Sequence, residues 1–282
     1  MGTEHARRVR AGSIELTVLE EGAGGRPLLV LHGFCGAKEN WAEIMGPLSG
    51  NGWHVIVPDQ RGHGASDHPA GTPSYKFETF VEDAKALTEE LGWDRFVLVG
   101  HSMGGMTAQL LALDDPSKLD GLILVDTFHS RIEIEADAVA VGRQIVESGG
   151  MQALVDSMRG LEDPLVTQAH LRLLAERPGY QELLDSQTLA CSPEMWVAMT
   201  TEMFGGRDLL DGLRSCAYAR GVGRAGQAFS RLVHSHLSRG PRRSARGDTR
   251  RGSLAAARGA RRLARCGVEL SGVARRAFLR RA

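Results

Sequence analysis

Ser102 lies in the run Gly100-His101-Ser102-Met103-Gly104, with Gly105 following. A serine hydroxyl is a weak nucleophile until its backbone holds it clear of its neighbours and a base takes its proton. The G-x-S-x-G spacing meets the first condition when it follows a buried strand and opens a helix. The turn between the two is then sharp, the side chain stands out from it, and the positive end of the helix lies beneath. Glycines at 100 and 104 let strand and helix approach closely. Ser102 is therefore the candidate catalytic residue, Gly100 and Gly104 are structural at its site, and the chemistry expected is acyl transfer.

Acyl transfer needs donors for the oxygen that becomes negative. His32-Gly33-Phe34 ends an earlier apolar run, where the backbone N–H of Phe34 would converge with that of Met103 on a tetrahedral intermediate. Losing one such donor typically costs about 10²–10³ in rate. His32 and Gly33 are read as structural parts of this loop. The polar turn at 58–67 holds Asp59 and Arg61, expected to cross-brace the loops behind the oxyanion backbone. Neither Asp59 nor His63 is expected in a catalytic triad.

These residues need a scaffold. Residues 13–20 alternate enough for an edge strand, while 27–31, 53–59, 95–100 and 119–126 are short apolar runs that read as strands buried on both faces. Amphipathic stretches at 77–91 and 103–114 lie between them. Alternating strands and helices predict an α/β fold: a doubly wound, mostly parallel sheet with helices on both faces and its function at the strands' carboxyl ends. The expected organisation is a core over 1–129, a helical cap over 130–206, a return segment over 207–215, and an Arg/Ala/Gly-rich tail over 216–282.

In this order and spacing, H-G-F at 32–34, P-D-Q-R-G-H-G-x-S-D at 58–67 and G-H-S-M-G-G at 100–105 resemble the α/β-hydrolase superfamily. The resemblance is strong over 15–129 and weak over the cap. It is nearest to compact bacterial-type members: enol-lactonases, meta-cleavage product C–C hydrolases, carboxylesterases and cofactor-free haloperoxidases. It implies Ser102 as nucleophile, the Phe34 and Met103 amides as oxyanion hole, no cofactor or metal, and a small ester, lactone or activated C–C substrate. Epoxide hydrolases and haloalkane dehalogenases share the fold but place Asp at the elbow, so Ser102 argues against them.

The resemblance also implies an acid after the first strand beyond the cap and a histidine near the C-terminus. Residues 215–282 offer only Asp248 and Glu269 as acids and only His234 and His236 as histidines, with both histidines preceding both acids. The same stretch holds 17 Arg, no Lys and no Ile, against 17 Lys+Arg and 32 Asp+Glu in residues 1–214. Arg, Ala, Gly and Ser enrichment is what a GC-rich gene yields in a wrong frame. Displaced by one base, the codons of 222–229 permit x-Gly-Glu-Gln-Asp-Arg-Pro-Phe, preceded by an apolar strand from 215–221. A frameshift near Arg214 is therefore expected, with the last strands and closing helix of the fold missing and the triad's acid and base lost.

Two alternatives stand beside this reading. Asp126, at a strand end next to the nucleophile strand, could serve as the acid with His234 or His236 as base. Alternatively the basic tail could bind nucleic acid, although nucleic acid is not the expected partner. No apolar run reaches membrane-spanning length, and residues 1–5 lack a signal-peptide stretch, so a cytoplasmic protein is expected. Cys35, Cys191, Cys216 and Cys266 lack metal-ligand or disulfide-framework spacing and read as isolated, partly buried thiols.

Overall fold

The structure is a computed structural model and describes residues 6–130, 136–159, 168–204, 208–209 and 212. Six strands form one sheet. β1 (Ala6–Ala11) and β2 (Ile14–Glu21) make an antiparallel hairpin. Gly12, with φ 61°, supplies the positive φ that a two-residue hairpin turn demands. There follow β3 (Arg26–Leu31), α1 (Ala42–Ser49), β4 (Trp53–Pro58), α2 (Phe77–Glu90), β5 (Phe96–His101), α3 (Met103–Asp114) and β6 (Leu119–Val125). The spatial order is β1-β2-β4-β3-β5-β6. The last four positions in that order pair in parallel, whereas β2 meets β4 antiparallel.

The mostly parallel doubly wound sheet is thus present, with one correction. The segment read as an edge strand is β2, which pairs on both sides; the edges of the described sheet are β1 and β6, so β6, read as a strand buried on both faces, buries only Leu119 and Leu124. β1 escapes a hydrophobicity reading because Arg8 and Arg10 alternate with only two buried residues, Val9 and Ala11.

Side-chain alternation splits the core between the two faces. Leu29, Leu31, Ile56 and Leu98 pack with Val81, Leu87, Ala108 and Leu111 under α2 and α3. Leu28, Val30, Val55, Val57, Val97 and Val99 face the other way, against Met45 and Leu48 of α1. Burial on both faces is why these strands read as unbroken apolar runs. Each fully buried Leu or Val contributes on the order of 1.5–3 kcal/mol.

After β6 the described chain is helical. α4 (Ala136–Met158) breaks at Gly150, where φ is 67° and ψ −165°. α5 (Gln168–Glu176), α6 (Tyr180–Leu189) and α7 (Pro193–Phe204) follow. α7 buries Met195, Trp196, Met199 and Met203 in a cluster with Tyr75, Phe77 and Met103, over the N-terminus of α3. The Ser192 N–H donates to the Gly62 carbonyl at 2.8 Å, so α7 starts directly on the polar turn after β4. A bridge between Ser130 and Asp208 brings the chain back beside the end of β6. The expected missing strands and the tail at 216–282 lie outside the described residues, as do His234, His236, Asp248 and Glu269.

Candidate active site

Ser102 occupies the one-residue junction between β5 and α3, with φ 49° and ψ −117°. A non-glycine residue at positive φ costs on the order of 1–3 kcal/mol and persists only where its surroundings fix it. Here they do. The Ser102 N–H donates to the Val125 carbonyl at 3.0 Å. The Ser102 carbonyl accepts from the Met106 N–H at 3.0 Å and from Thr127 Oγ1 at 2.7 Å. The turn is therefore bonded on both sides of its strained residue, to the end of β6 and to the segment just after it. A Cβ on Gly100 would stand 2.5 Å from the Gly104 carbonyl oxygen, and one on Gly104 would stand 2.5 Å from the carbonyl oxygens of Leu31 and His32. Only glycine fits at either position.

The loop after β3 rests against this turn. A Cβ on Gly33 would lie 2.8 Å from His101 Nδ1 and 3.2 Å from Ser102 Cβ. The Gly33 carbonyl accepts from the Gly36 N–H at 3.0 Å and lies 2.8 Å from His32 Nδ1. His32 Nε2 accepts from the Gln60 N–H at 3.0 Å, which leaves the proton on Nδ1 to donate to Gly33. Because a peptide unit is planar, holding the Gly33 carbonyl also aims the Phe34 N–H on the opposite edge of the same plane. Met103, the first residue of α3, carries an N–H that has no acceptor within its own helix. Burial lowers the His32 pKa to about 4, so its imidazole is neutral. His63 packs edge-on to it, ring centroids 4.9 Å apart, and burial lowers its pKa to about 3.

Asp59 and Arg61 both brace, with separate partners. Asp59 is fully buried. It accepts from the Lys38 N–H at 2.9 Å, Lys38 Nζ at 2.8 Å and the Ala65 N–H at 2.9 Å. Burial alone would lower the Lys38 pKa, but hydrogen bonds to Asp59 and Glu39 hold it above its ordinary value. Arg61 instead grips Asp83 of α2 through Nε and Nη2, at 2.5 and 2.6 Å, and the Ser74 carbonyl at 2.7 Å. The sequence reading missed Lys38 and Asp83, since an isolated Lys or Asp carries no burial signal.

Asp126 follows β6 in a left-handed conformation, φ 41°. Its charge acts on His101, whose pKa burial lowers and Asp126 partly restores. The sequence also gave no sign of a surface pair, His129 Nδ1 with Asp208 Oδ1 at 3.2 Å. Its partners are 79 positions apart and meet only because the chain returns at Asp208. Among the described residues no group of three or more His, Cys, Asp or Glu is placed to hold a metal ion, and no helix is long and apolar enough to cross a membrane.

Residues 26–156 match the family described as alpha/beta hydrolase fold. The chain belongs to the α/β-hydrolase superfamily. Within this superfamily it is 36% identical over 132 residues to a fluoroacetate dehalogenase from a Burkholderia species, covering 46% of this chain and 43% of that one. It is 32% identical over 136 residues to epoxide hydrolase 4 from Mus musculus, covering 48% and 38%. The matched stretch thus spans less than half the length of these curated α/β-hydrolase relatives. The enol-lactonase from Burkholderia xenovorans LB400 superposes with a TM-score of 0.63 at 20% identity, over 82% of this chain and all of that one, a likeness of fold.

Proposed function

We propose that this α/β-hydrolase is of the serine type, with Ser102 attacking the carbonyl carbon of a small ester, lactone or activated C–C substrate. The leaving group departs from the resulting tetrahedral intermediate, and water then hydrolyses the acyl-enzyme. The Phe34 and Met103 amides hold the oxyanion, and the helices over 130–206 act as a cap that shapes the pocket. The observation that carries this reading is the positive φ of Ser102 at the β5–α3 junction, packed against the Gly33 loop. Dehalogenase and epoxide hydrolase relatives favour the rival halide and epoxide chemistries, but those resemblances imply Asp where this chain has Ser102.

On this reading the chain as written is a crippled enzyme, because a frame displacement near Arg214 has removed its acid and base. Losing a triad member leaves roughly 10³–10⁴-fold catalysis over water. A fluorophosphonate probe tests the nucleophile directly. Labelling should be weak, map to the Ser102 peptide and vanish in Ser102→Ala. Labelling of equal strength in that variant would exclude Ser102.

A further inference from the structure

Two of the four cysteines meet. Cys35 follows the Gly33–Phe34 loop in a left-handed conformation, φ 53°, and is partly exposed. Cys191 is buried in the short link between α6 and α7. Its N–H donates to the Thr188 carbonyl at 3.1 Å and its Sγ donates to the Gln187 carbonyl at 3.3 Å. Cys35 packs against the apolar cluster that contains Cys191, and the two thiols act on each other electrostatically. Beside them Asn40 Nδ2 donates to Gln187 Oε1 at 3.0 Å, so the same loop is joined to the same helix at a second point. The expectation of isolated thiols therefore fails for this pair: folding places them in contact across the seam between the loop after β3 and the helical segment.

We propose that Cys35 and Cys191 are a dithiol that closes to a reversible disulfide, fastening the loop after β3 to the α6–α7 link. The oxidant is a small-molecule disulfide. The Cys35 thiolate attacks one sulfur of the reagent, forming a mixed disulfide and releasing one thiolate. Cys191, giving up its proton, attacks the Cys35 sulfur of that mixed disulfide and releases the second thiolate. Two protein thiols are oxidised, the reagent is reduced to two thiols, and the two protein protons end on them. The neighbouring Cys191 side chain, and then burial, hold the Cys35 thiol well above its usual range. The first step is therefore slow at neutral pH and accelerates as pH rises, because the thiolate is the attacking species. This device does not depend on the role assigned to Ser102.

The full chain carrying Cys216→Ser and Cys266→Ser, whose replaced thiols would otherwise compete, is equilibrated with oxidised glutathione and digested without reduction. One cross-linked species should appear, joining the Cys35 and Cys191 peptides and lighter than their sum by two hydrogens, and dithiothreitol should resolve it. Its rate of formation should rise between pH 7 and 9. Closing so long a loop should raise the Tm by roughly 5 °C or more. If this background does not fold, the wild-type chain is mapped in the same way. Separate Cys35 and Cys191 peptides, each free or each carrying glutathione after equilibration, would overturn the proposal.

Discussion

Lys38 Nζ lies 2.8 Å from Asp59 Oδ2, and neither side chain has appreciable contact with water. Asp59 also accepts the Lys38 and Ala65 backbone N–H groups, so one carboxylate ties the loop after β3 to the turn after β4. Breaking a buried pair by removing one charge typically costs about 3–5 kcal/mol, because the other charge is left desolvated. Asp59→Asn should therefore lower unfolding free energy by several kcal/mol in urea titration and weaken labelling of Ser102. A loss below about 1 kcal/mol would show that the pair does not brace the loop.

Glycine substitutions separate close approach from general tolerance. Gly104→Ala forces a methyl against two carbonyl oxygens at 2.5 Å, and overpacking of this kind costs about 1–3 kcal/mol. Gly121→Ala, in β6, meets nothing nearer than a Val97 methyl at 3.7 Å. We expect the first variant to lose stability and probe labelling and the second to retain both, measured side by side by thermal unfolding and fluorophosphonate labelling. Equal behaviour would mean that the β5–α3 approach is not what positions Ser102.

Buried neutral histidines give the fold an acid sensitivity with a defined sign. His32 and His63 have folded pKa values of about 4 and about 3, against an ordinary value of 6.5. Between these values the unfolded chain carries protons that the folded chain does not. Stability is therefore full above pH 6.5 and falls as pH drops through this window, by about 1.4 kcal/mol per pH unit for each histidine. Denaturant titrations between pH 7 and 4.5 should show this slope, and His63→Phe should remove about half of it. A flat profile over that range would contradict the neutral assignment.

Restoring the frame tests the account of the tail. Correcting one base near codon 214 should replace the Arg-rich stretch with a strand, a Gly-Glu-Gln-Asp turn, a helix, a further strand and a Gly-His loop. The corrected chain should hydrolyse p-nitrophenyl acetate several orders of magnitude faster, since acid, base and serine act as one unit. Ester turnover through Ser102 by the chain as written would instead point to a rearranged triad, with Asp126 as its acid.

What the sequence revealed divides along physical lines. β3, β4 and β5 are legible because burial on both faces leaves their composition no choice but apolar; β6 reads alike although it lies at an edge of the described sheet, with only Leu119 and Leu124 buried. The elbow at Ser102 is legible because its glycines, strand and helix are contiguous in the chain. β1 hides behind its arginines. Lys38 is illegible because a loop lysine ordinarily faces water, and its buried partner Asp59 lies 21 positions away. Arg61, expected to brace the loops behind the oxyanion backbone, instead bonds Asp83, on a helix whose amphipathic pattern gives no reason to single it out. The contact between Cys35 and Cys191 is made by tertiary docking alone.

Every strand of the described sheet falls between residues 6 and 125. A ribosome adding about 5–20 residues per second reaches Arg214 roughly 4–18 s after it completes β6, ample time for a local α/β sheet to form on the nascent chain. The elbow at Ser102 is then assembled before any codon beyond 214 is read. A frame error there would reach a protein whose Ser102 turn already exists, so its mark should fall on yield and chaperone dependence as much as on turnover.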